Sequence, residues 1–183
     1  MKSDGKKIGI IAMSAKPYHV GHESLIEMAS CDCDEVLVFV SLMDRSRKGE
    51  ITITGNKMES AWEKLIKPSL PKNVEIIYSN TPIREIYSHI GEANETDSLD
   101  TFTIFSDPQD IARSYQEKYL VKYFGNLHAN GQIILSPVSR EKSTAISATE
   151  MRRFIGTNNF NEFATWCPKN ISANEYWEIL TAE

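Results

Sequence analysis

Two histidines, a lysine and a glycine stand close together in one short segment of the chain, Lys16-Pro17-Tyr18-His19-Val20-Gly21-His22. An apolar stretch over residues 8–13 comes directly before it, so we expect the segment to lie where a strand passes into a helix. The N-terminus of a helix presents backbone N–H groups to an anion. Imidazole N–H groups add donors for oxygens that gain charge during phosphoryl or nucleotidyl transfer. The segment therefore predicts a binding site for a nucleoside triphosphate.

Each residue of this segment also has a simpler interpretation. His19 and His22 would serve equally as surface residues or helix caps, and Lys16 as a solvated loop lysine rather than a point charge on a phosphate. Gly21 has a steric role in the site hypothesis, because a residue without a side chain lets a phosphate or a base approach the backbone. A zinc site that adds the nearby cysteine pair fits known zinc spacings poorly, so we predict no metal ligand among these side chains.

A second segment combines hydroxyls with basic side chains: Ile146-Ser147-Ala148-Thr149-Glu150-Met151-Arg152-Arg153, with Arg140 and Lys142 just before it. Ser147 and Glu150 have the spacing of a capping box, which requires no function. The same helix start carries Thr149 and, one turn further, Arg152, and these side chains suit the β- and γ-phosphates of a triphosphate. Together the two segments predict two helix N-termini that bind one triphosphate from opposite sides, with Arg140 as a further contact.

Three other charged residues follow predicted strands. Arg45 and Arg47 come after the second strand, and they are either contacts for an anionic acceptor or the triphosphate, or ordinary residues of a charged loop. Asp107 comes after the fourth strand, where it could contact a ribose of the nucleotide or a metal-bound water. Its position before Pro108 is more typical of a helix cap.

Segments typical of strands alternate with segments typical of helices along most of the chain. The strand-like runs cover residues 7–13, 35–42, 73–78, 101–105 and 132–135. Apolar residues recur at helical spacing between them, in a stretch that ends at Pro68, in one that begins at Thr81-Pro82, and in one helix from Asp107-Pro108 to near Gly125. This alternation predicts an α/β, Rossmann-like doubly wound domain, with a mostly parallel five-stranded sheet and helices on both faces. Ligands of such sheets bind beyond the carboxyl ends of the strands, where the lysine-histidine segment would lie.

Length and composition favour one globular domain over residues 1–183, with a core of about 6–156 and a helical C-terminal tail over 157–183. No apolar run has the length of a membrane span and the N-terminus lacks the features of a signal peptide, so we expect a cytoplasmic protein without a membrane partner. A net charge of −5 argues against broad nucleic-acid binding. Three cysteines, an odd number, are expected to be reduced.

His19-Val20-Gly21-His22 resembles the H-x-G-H motif of the cytidylyltransferase-like nucleotidyltransferase superfamily, and the segment from Ile146 to Arg152 resembles its I-S-x-T-x-x-R motif. The two motifs stand in the family's order, after the first and the last predicted parallel strand. The resemblance covers roughly residues 6–156. The entry to the first motif departs from the family, which often begins the loop with glycine and an aromatic residue or aspartate, whereas this chain has Met13-Ser14-Ala15-Lys16.

The resemblance implies transfer of a nucleoside monophosphate from CTP or ATP to a small, phosphorylated acceptor, with release of pyrophosphate and with Mg²⁺ accompanying the triphosphate. His19 and His22 would stabilise the transition state at the α-phosphate, and Ser147, Thr149 and Arg152 would hold the β- and γ-phosphates. A homodimer would be in keeping with the family. A non-catalytic nucleotide-binding or sensing protein on the same fold is the alternative, whereas an aminoacyl-tRNA-synthetase-like fragment is disfavoured by the single short domain and the acidic charge.

Overall fold

The computed structural model describes residues 5–139 and 146–183, and its centre is a parallel sheet. The strands are β1 (Lys7–Met13), β2 (Glu35–Ser41), β3 (Val74–Ser79), β4 (Thr101–Ser106) and β5 (Ile133–Pro137). They lie in the order β3-β2-β1-β4-β5, and every neighbouring pair is parallel. The order reverses direction at β1, so the loops that follow β1 and β4 flank the switch point where ligands of doubly wound sheets bind.

Helices cover both faces of this sheet. In the described part of the chain they are α1 (Val20–Asp32), α2 (Gly55–Ala61), α3 (Pro82–Glu95), α4 (Pro108–Ser114), α5 (Glu117–Tyr123), α6 (Gly125–Ala129), α7 (Ala148–Gly156), α8 (Phe160–Trp166) and α9 (Ala173–Thr181). A π-helical turn (Trp62–Ile66) and a 3-10 turn (Lys67–Ser69) continue α2. The predicted α/β Rossmann-like architecture is confirmed, and so is the helical tail, which forms α8 and α9.

Alternation along the buried strands divides the core into two layers. Ile11 and Met13 of β1 pack with α1, α2 and the three C-terminal helices, whereas Ile8 and Ile10 pack with α3 to α6. Successive side chains of a strand point to opposite faces, so a run that is apolar throughout needs cover on both sides. The division into a core over residues 6–156 and an extension over 157–183 stays a prediction; α8 and α9 supply buried side chains to the first layer.

The helix predicted from Asp107-Pro108 to Gly125 is wrong, because the structure divides it into α4, α5 and α6. The backbone leaves helical geometry at Tyr115 (φ −124°, ψ 46°) and again at Phe124 (φ −129°, ψ 34°). Tyr87 of α3 stacks on the Tyr115 ring, with an interplanar angle of 6°, and its hydroxyl donates to the Ser114 carbonyl at 2.7 Å. This contact from a neighbouring helix satisfies a carbonyl at the end of α4, where the break occurs.

The stretch predicted to end at Pro68 also differs in detail. Regular α-helix stops at Ala61, and Pro68 lies inside the 3-10 turn rather than after the helix. Proline is compatible with this place because the first positions of a helical turn have no intrahelical partner for their N–H groups. Within residues 5–139 and 146–183, no helix is both long enough and apolar enough to cross a membrane.

Gly55 is required for the close approach of α2 to the end of β2. A Cβ atom at this position would lie 1.7 Å from the Leu42 carbonyl oxygen, which is backbone and cannot rotate away. We expect Gly55→Ala to lower the free energy of unfolding by about 3 kcal/mol, measured by chemical denaturation. Gly91→Ala in α3 is the matched control: its Cβ meets nothing within 4 Å, so it should raise stability by up to about 1 kcal/mol. Equal effects of the two changes would contradict this explanation.

Candidate active site

The first predicted segment forms the loop between β1 and α1, with His19 as the N-cap residue of α1. The His19 Nδ1 atom accepts from the Gly21 N–H at 3.0 Å, and the His22 Nδ1 atom accepts from the His19 N–H at 3.1 Å. The two histidines therefore make a reciprocal capping box in which imidazole nitrogens take the place of the usual hydroxyl and carboxylate oxygens. This interpretation as a cap is confirmed.

The capping box fixes the tautomer of both rings. A nitrogen that accepts a hydrogen bond carries no proton, so each neutral imidazole has its proton on Nε2. The two rings lie 4.0 Å apart between centroids, with an interplanar angle of 39°. The loop thus places two adjacent imidazoles at the N-terminus of a 13-residue helix, whose dipole favours an anion.

Aromatic packing of the buried Tyr18 supports the histidine pair. Tyr18 is fully buried, and its ring stacks on His22 at 5.6 Å with an interplanar angle of 16°. Burial raises the pKa of Tyr18, so the phenol stays protonated and takes no part in acid–base chemistry. Tyr176 of α9 donates its hydroxyl to the Tyr18 carbonyl at 3.0 Å, and both rings are buried. The C-terminal helix therefore positions the residue that precedes His19.

Lys16 lies inside the protein rather than in solvent, with 2% of its surface exposed. Its ammonium donates to the Ser41 carbonyl at the end of β2 and to the Ser14 carbonyl at 3.3 Å. Burial lowers the pKa of Lys16 to about 8. The nearby Asp44 carboxylate opposes this lowering of the pKa, and the positive charge of Arg45 adds to it. Lys16 thus links the ends of β1 and β2, and its charge is incompletely compensated.

The second predicted segment begins α7, and its N-terminus is capped as the sequence pattern indicates. Ser147 Oγ accepts from the Glu150 N–H at 3.2 Å, and a Glu150 carboxylate oxygen accepts from the Ser147 N–H at 3.1 Å. The capping-box interpretation of this pair is therefore confirmed. Thr149 Oγ1 accepts from Arg152 Nη2 at 3.0 Å, so the threonine orients the arginine one turn further along α7.

Arg152 connects the two helix N-termini. Its side chain is 3% exposed, and Nη1 donates to the Lys16 carbonyl at 2.7 Å, across 136 residues of sequence. Its Nε donates to a Glu50 carboxylate oxygen, also at 2.7 Å. Since the Lys16 carbonyl belongs to the loop before α1, this guanidinium ties α7 to the loop that carries the histidine pair. The two segments predicted from the sequence to act together are therefore in direct contact.

Arg45 and Arg47 complete a group of positive charges around Glu50. Burial lowers the pKa of Arg45, and the neighbouring charges of Arg47 and Arg152 lower it further. The same three guanidinium groups hold the pKa of the Glu50 carboxyl below its usual range, the hydrogen bond from Arg152 being the main cause. Arg45 and Arg47 thus lie near the buried guanidinium of Arg152, and the Glu50 carboxylate interacts with all three.

The remaining predicted residues are placed as follows. Asp107 is the N-cap of α4, where its carboxylate accepts from the Asp110 N–H at 2.9 Å, which is the cap expected from the Asp-Pro pair. Gly21 is the second residue of α1 and donates its N–H to His19. Arg140 lies outside the described residues. The structure brings Lys16 into contact with Arg152 of the second motif, whereas for Asp107 it establishes the cap.

Three residues that shape or support the candidate site were not predicted from the sequence. Glu50 and Tyr176 act over long sequence separations, and neither stands in a motif. Ala15 has φ 46°, in the left-handed region that favours glycine, yet it is buried at the entry to the loop. The departure of residues 13–16 from the family pattern was the available signal for Ala15, because it marks a loop of unusual shape. A left-handed alanine stores about 1 kcal/mol of strain at this position.

Mg²⁺ fits this donor set only if the triphosphate carries it. Within the described residues, no three His, Cys, Asp or Glu side chains are grouped so that they could hold a metal ion. Mg²⁺ commonly binds substrate phosphates and keeps several waters, so it does not need a cage of protein ligands. The positive charges around Glu50 are suited to phosphate oxygens rather than to a cation.

A cavity of about 570 Å³ lies between α3 and the α4–α5 pair and contains none of the residues predicted to bind nucleotide. Its walls include Tyr87 and Tyr119, with Arg84 and Arg113 among its polar residues. The candidate site is instead formed by the loops after β1 and β2 and by α7, where Lys16, His19 and Arg152 are buried. We assign the site on chemistry and contacts rather than on cavity size.

The first part of the chain is similar to a known protein family. The family model of the citrate lyase ligase C-terminal domain matches residues 8–55. This range begins at the second residue of β1 and includes the histidine loop (residues 14–19), α1, β2 and the loop that carries Arg45 and Arg47. The [citrate [pro-3S]-lyase] ligase of Haemophilus influenzae is 43% identical over 47 residues. That alignment covers 26% of this chain and 14% of the relative, so only this segment is compared.

Solved structures resemble almost the whole chain. A Plasmodium falciparum nicotinic acid mononucleotide adenylyltransferase, complexed with NaAD, has a TM-score of 0.61 at 16% identity and covers 93% of this chain and 94% of its own. A Vibrio parahaemolyticus protein assigned as a nicotinate-nucleotide adenylyltransferase has a TM-score of 0.58 at 18% identity and covers 96% and 98%. This chain therefore has the fold of these nucleotidyltransferases, and the resemblance to the cytidylyltransferase-like superfamily is confirmed at the level of the fold.

The buried charge of Lys16 predicts a pH-dependent stability. The folded pKa of about 8 lies below the ordinary 10.5, so between these values the unfolded chain binds more protons and stability rises with pH. We expect the free energy of unfolding of the wild type, minus that of Lys16→Met, to increase by about 2–3 kcal/mol across this interval. Chemical denaturation at several pH values measures the difference. Lys48→Met in the exposed loop is the control and should give a flat difference.

The bond from Tyr176 predicts that one hydroxyl at the C-terminus stabilises the histidine loop. Tyr176→Phe leaves the Tyr18 carbonyl without this donor, so we expect a loss of about 1–2 kcal/mol in the free energy of unfolding. Tyr123→Phe changes an exposed ring in α5 and should alter stability by less than about 0.5 kcal/mol. Denaturant melts of the two variants side by side test the claim, and indistinguishable midpoints would refute it.

Proposed function

We propose that this protein is a nucleotidyltransferase that transfers a nucleoside monophosphate from ATP or CTP to a small, phosphorylated acceptor and releases pyrophosphate. The observation that carries the proposal is the 2.7 Å bond from Arg152 to the Lys16 carbonyl, which joins α7 to the loop that carries the capping histidine pair. The fold shared with two adenylyltransferases supports it. Those relatives also make ATP the first donor to test.

His19 and His22 would act on the α-phosphate as donors rather than as bases. Each ring keeps its proton on Nε2 because Nδ1 accepts a backbone N–H, so the pair offers two N–H groups to oxygens that gain charge. The rings are held by the cap and by Tyr18, so they need no reorganisation as that charge develops. The dipole of α1 would add favourable potential at the same point. Gly21, whose N–H is bonded to His19, would contribute by having no side chain that blocks the phosphate.

The start of α7 would hold the leaving pyrophosphate. Arg152 uses Nε, one Nη1 hydrogen and one Nη2 hydrogen in the contacts described above, which leaves two of its five N–H groups for phosphate oxygens. Ser147 and Thr149 would add hydroxyl contacts, and Arg140 is proposed as a further contact. Mg²⁺ bound through the triphosphate would neutralise charge on the phosphates. Lys16 would assist as a point charge, since an added anion favours its protonated form.

Arg45 and Arg47 would bind the acceptor or, together with Arg152, the triphosphate. A phosphate acceptor is ionised at neutral pH, so its oxygen can attack the α-phosphorus in line without a general base. Catalysis then consists of positioning and of electrostatic stabilisation. A homodimer, a cytoplasmic location and the absence of a nucleic-acid partner remain expectations from the sequence. The alternative, a protein that binds nucleotide without catalysis, is separated from the proposal by the experiment that follows.

The His19 cap allows a test that separates helix capping from chemistry. Asparagine is a good N-cap, so we expect His19→Asn to keep nearly all of the wild-type stability, whereas His19→Ala loses about 1 kcal/mol. Both variants lose the Nε2–H donor, and each should lower turnover about 100-fold or more. Pyrophosphate release is measured with ATP or CTP, Mg²⁺ and a panel of phosphorylated acceptors.

His89→Asn in α3 is the matched control, because it makes the same change at an exposed position. It should leave turnover within about twofold of the wild type. Full turnover in His19→Asn would contradict the proposed role of the imidazole. Nucleotide binding without pyrophosphate release from any acceptor would favour the non-catalytic alternative.

A further inference from the structure

Glu50 is half-buried and directly follows the exposed residues 46–49 of the turn after β2. Arg45 and Ile53 pair through two backbone hydrogen bonds of 2.8 and 3.0 Å and close a small loop. Gly49, with φ 83°, makes the reversal, and a Cβ atom there would meet nothing within 4 Å. From this turn the Glu50 carboxylate reaches Arg152, so it is the contact between the turn and the start of α7.

The positive charges around the Glu50 carboxylate would also attract an anion from solution. Three guanidinium groups act on its carboxylate, those of Arg45, Arg47 and Arg152, and one negative charge leaves the group with a net charge of +2. Arg45 Nε is buried and has no hydrogen-bond partner within the described residues. A buried donor without an acceptor is costly, so this arrangement has room for more acceptor oxygens than Glu50 supplies.

Arg152 requires a counter-anion at all times, because a guanidinium that is 3% exposed cannot stay charged in the interior without a partner. Glu50 fills this need in the absence of ligand. Its own side chain is 22% exposed, so the carboxylate can turn into solvent without unfolding the loop that carries it. A phosphate that takes its place offers more oxygens and more charge to the same donors.

We propose that Glu50 is a positioning residue that substitutes for a ligand phosphate on Arg152, and that the polyphosphate chain of the nucleotide displaces it on binding. The inference rests on the proposed function, since it concerns the same triphosphate site. Glu50 thereby competes with the ligand, keeps the buried guanidinium oriented between binding events, and sets the affinity for triphosphate below the value that the arginines alone would give.

Inorganic triphosphate is the probe, because it contains the proposed ligand group without a base or an acceptor. Removal of the competing charge in Glu50→Gln should tighten its binding about tenfold, as measured by isothermal titration calorimetry at fixed salt. The unliganded variant should be less stable than the wild type, and triphosphate should raise its melting temperature by a larger amount. Glu95→Gln makes the same charge change at the exposed end of α3 and should leave the affinity within about twofold.

A wild-type measurement covers the case in which Glu50→Gln does not fold. The Arg152 Nε–H resonance, assigned with Arg152→Lys, should move from its carboxylate-bonded position on saturation with triphosphate. Triphosphate binding that is unchanged or weaker in folded Glu50→Gln, or an unmoved Nε–H resonance in the liganded wild type, overturns the role of Glu50 alone. Absence of triphosphate binding in the wild type overturns the proposed function as well.

Discussion

A buried positive charge on Arg152 is the constraint on which the candidate site depends. Its guanidinium needs partners in the interior, and it finds them on three separate parts of the chain: the Lys16 carbonyl, the Glu50 carboxylate and the Thr149 hydroxyl. Each partner belongs to a different loop or helix. Meeting the hydrogen-bonding requirement of this one group therefore fixes the loop after β1, the turn after β2 and the start of α7 relative to one another.

Local pattern was sufficient to predict the sheet. The run from Lys7 to Met13 was placed without error, because a strand buried on both faces is apolar throughout and ends where polar residues begin. The capping box of Ser147 and Glu150 was also predictable, because it depends on two residues that are three positions apart. The break at Tyr115 was missed because it depends on a contact from Tyr87 that no local pattern records.

The histidine loop also has some features that the sequence predicts and others that only the folded structure reveals. The spacing of His19 and His22 identified a helix start and a resemblance, but the tautomer of the rings follows only from the hydrogen bonds of the folded loop. Glu50 is separated from Arg152 by 102 residues and stands in a loop of mixed charge, so sequence alone does not distinguish it from a solvated carboxylate. Such partners become visible when three-dimensional contacts are known.

The bond between Tyr176 and the Tyr18 carbonyl has a consequence for how the chain is made. These residues are separated by 158 positions, so during synthesis the histidine loop leaves the ribosome long before the helix that supports it. β5, which forms one edge of the parallel sheet, also follows the loop in the chain, and α9 follows β5. Synthesis thus sets an order for assembly, because the loop gains its bond from α9 only after 158 further residues have been added.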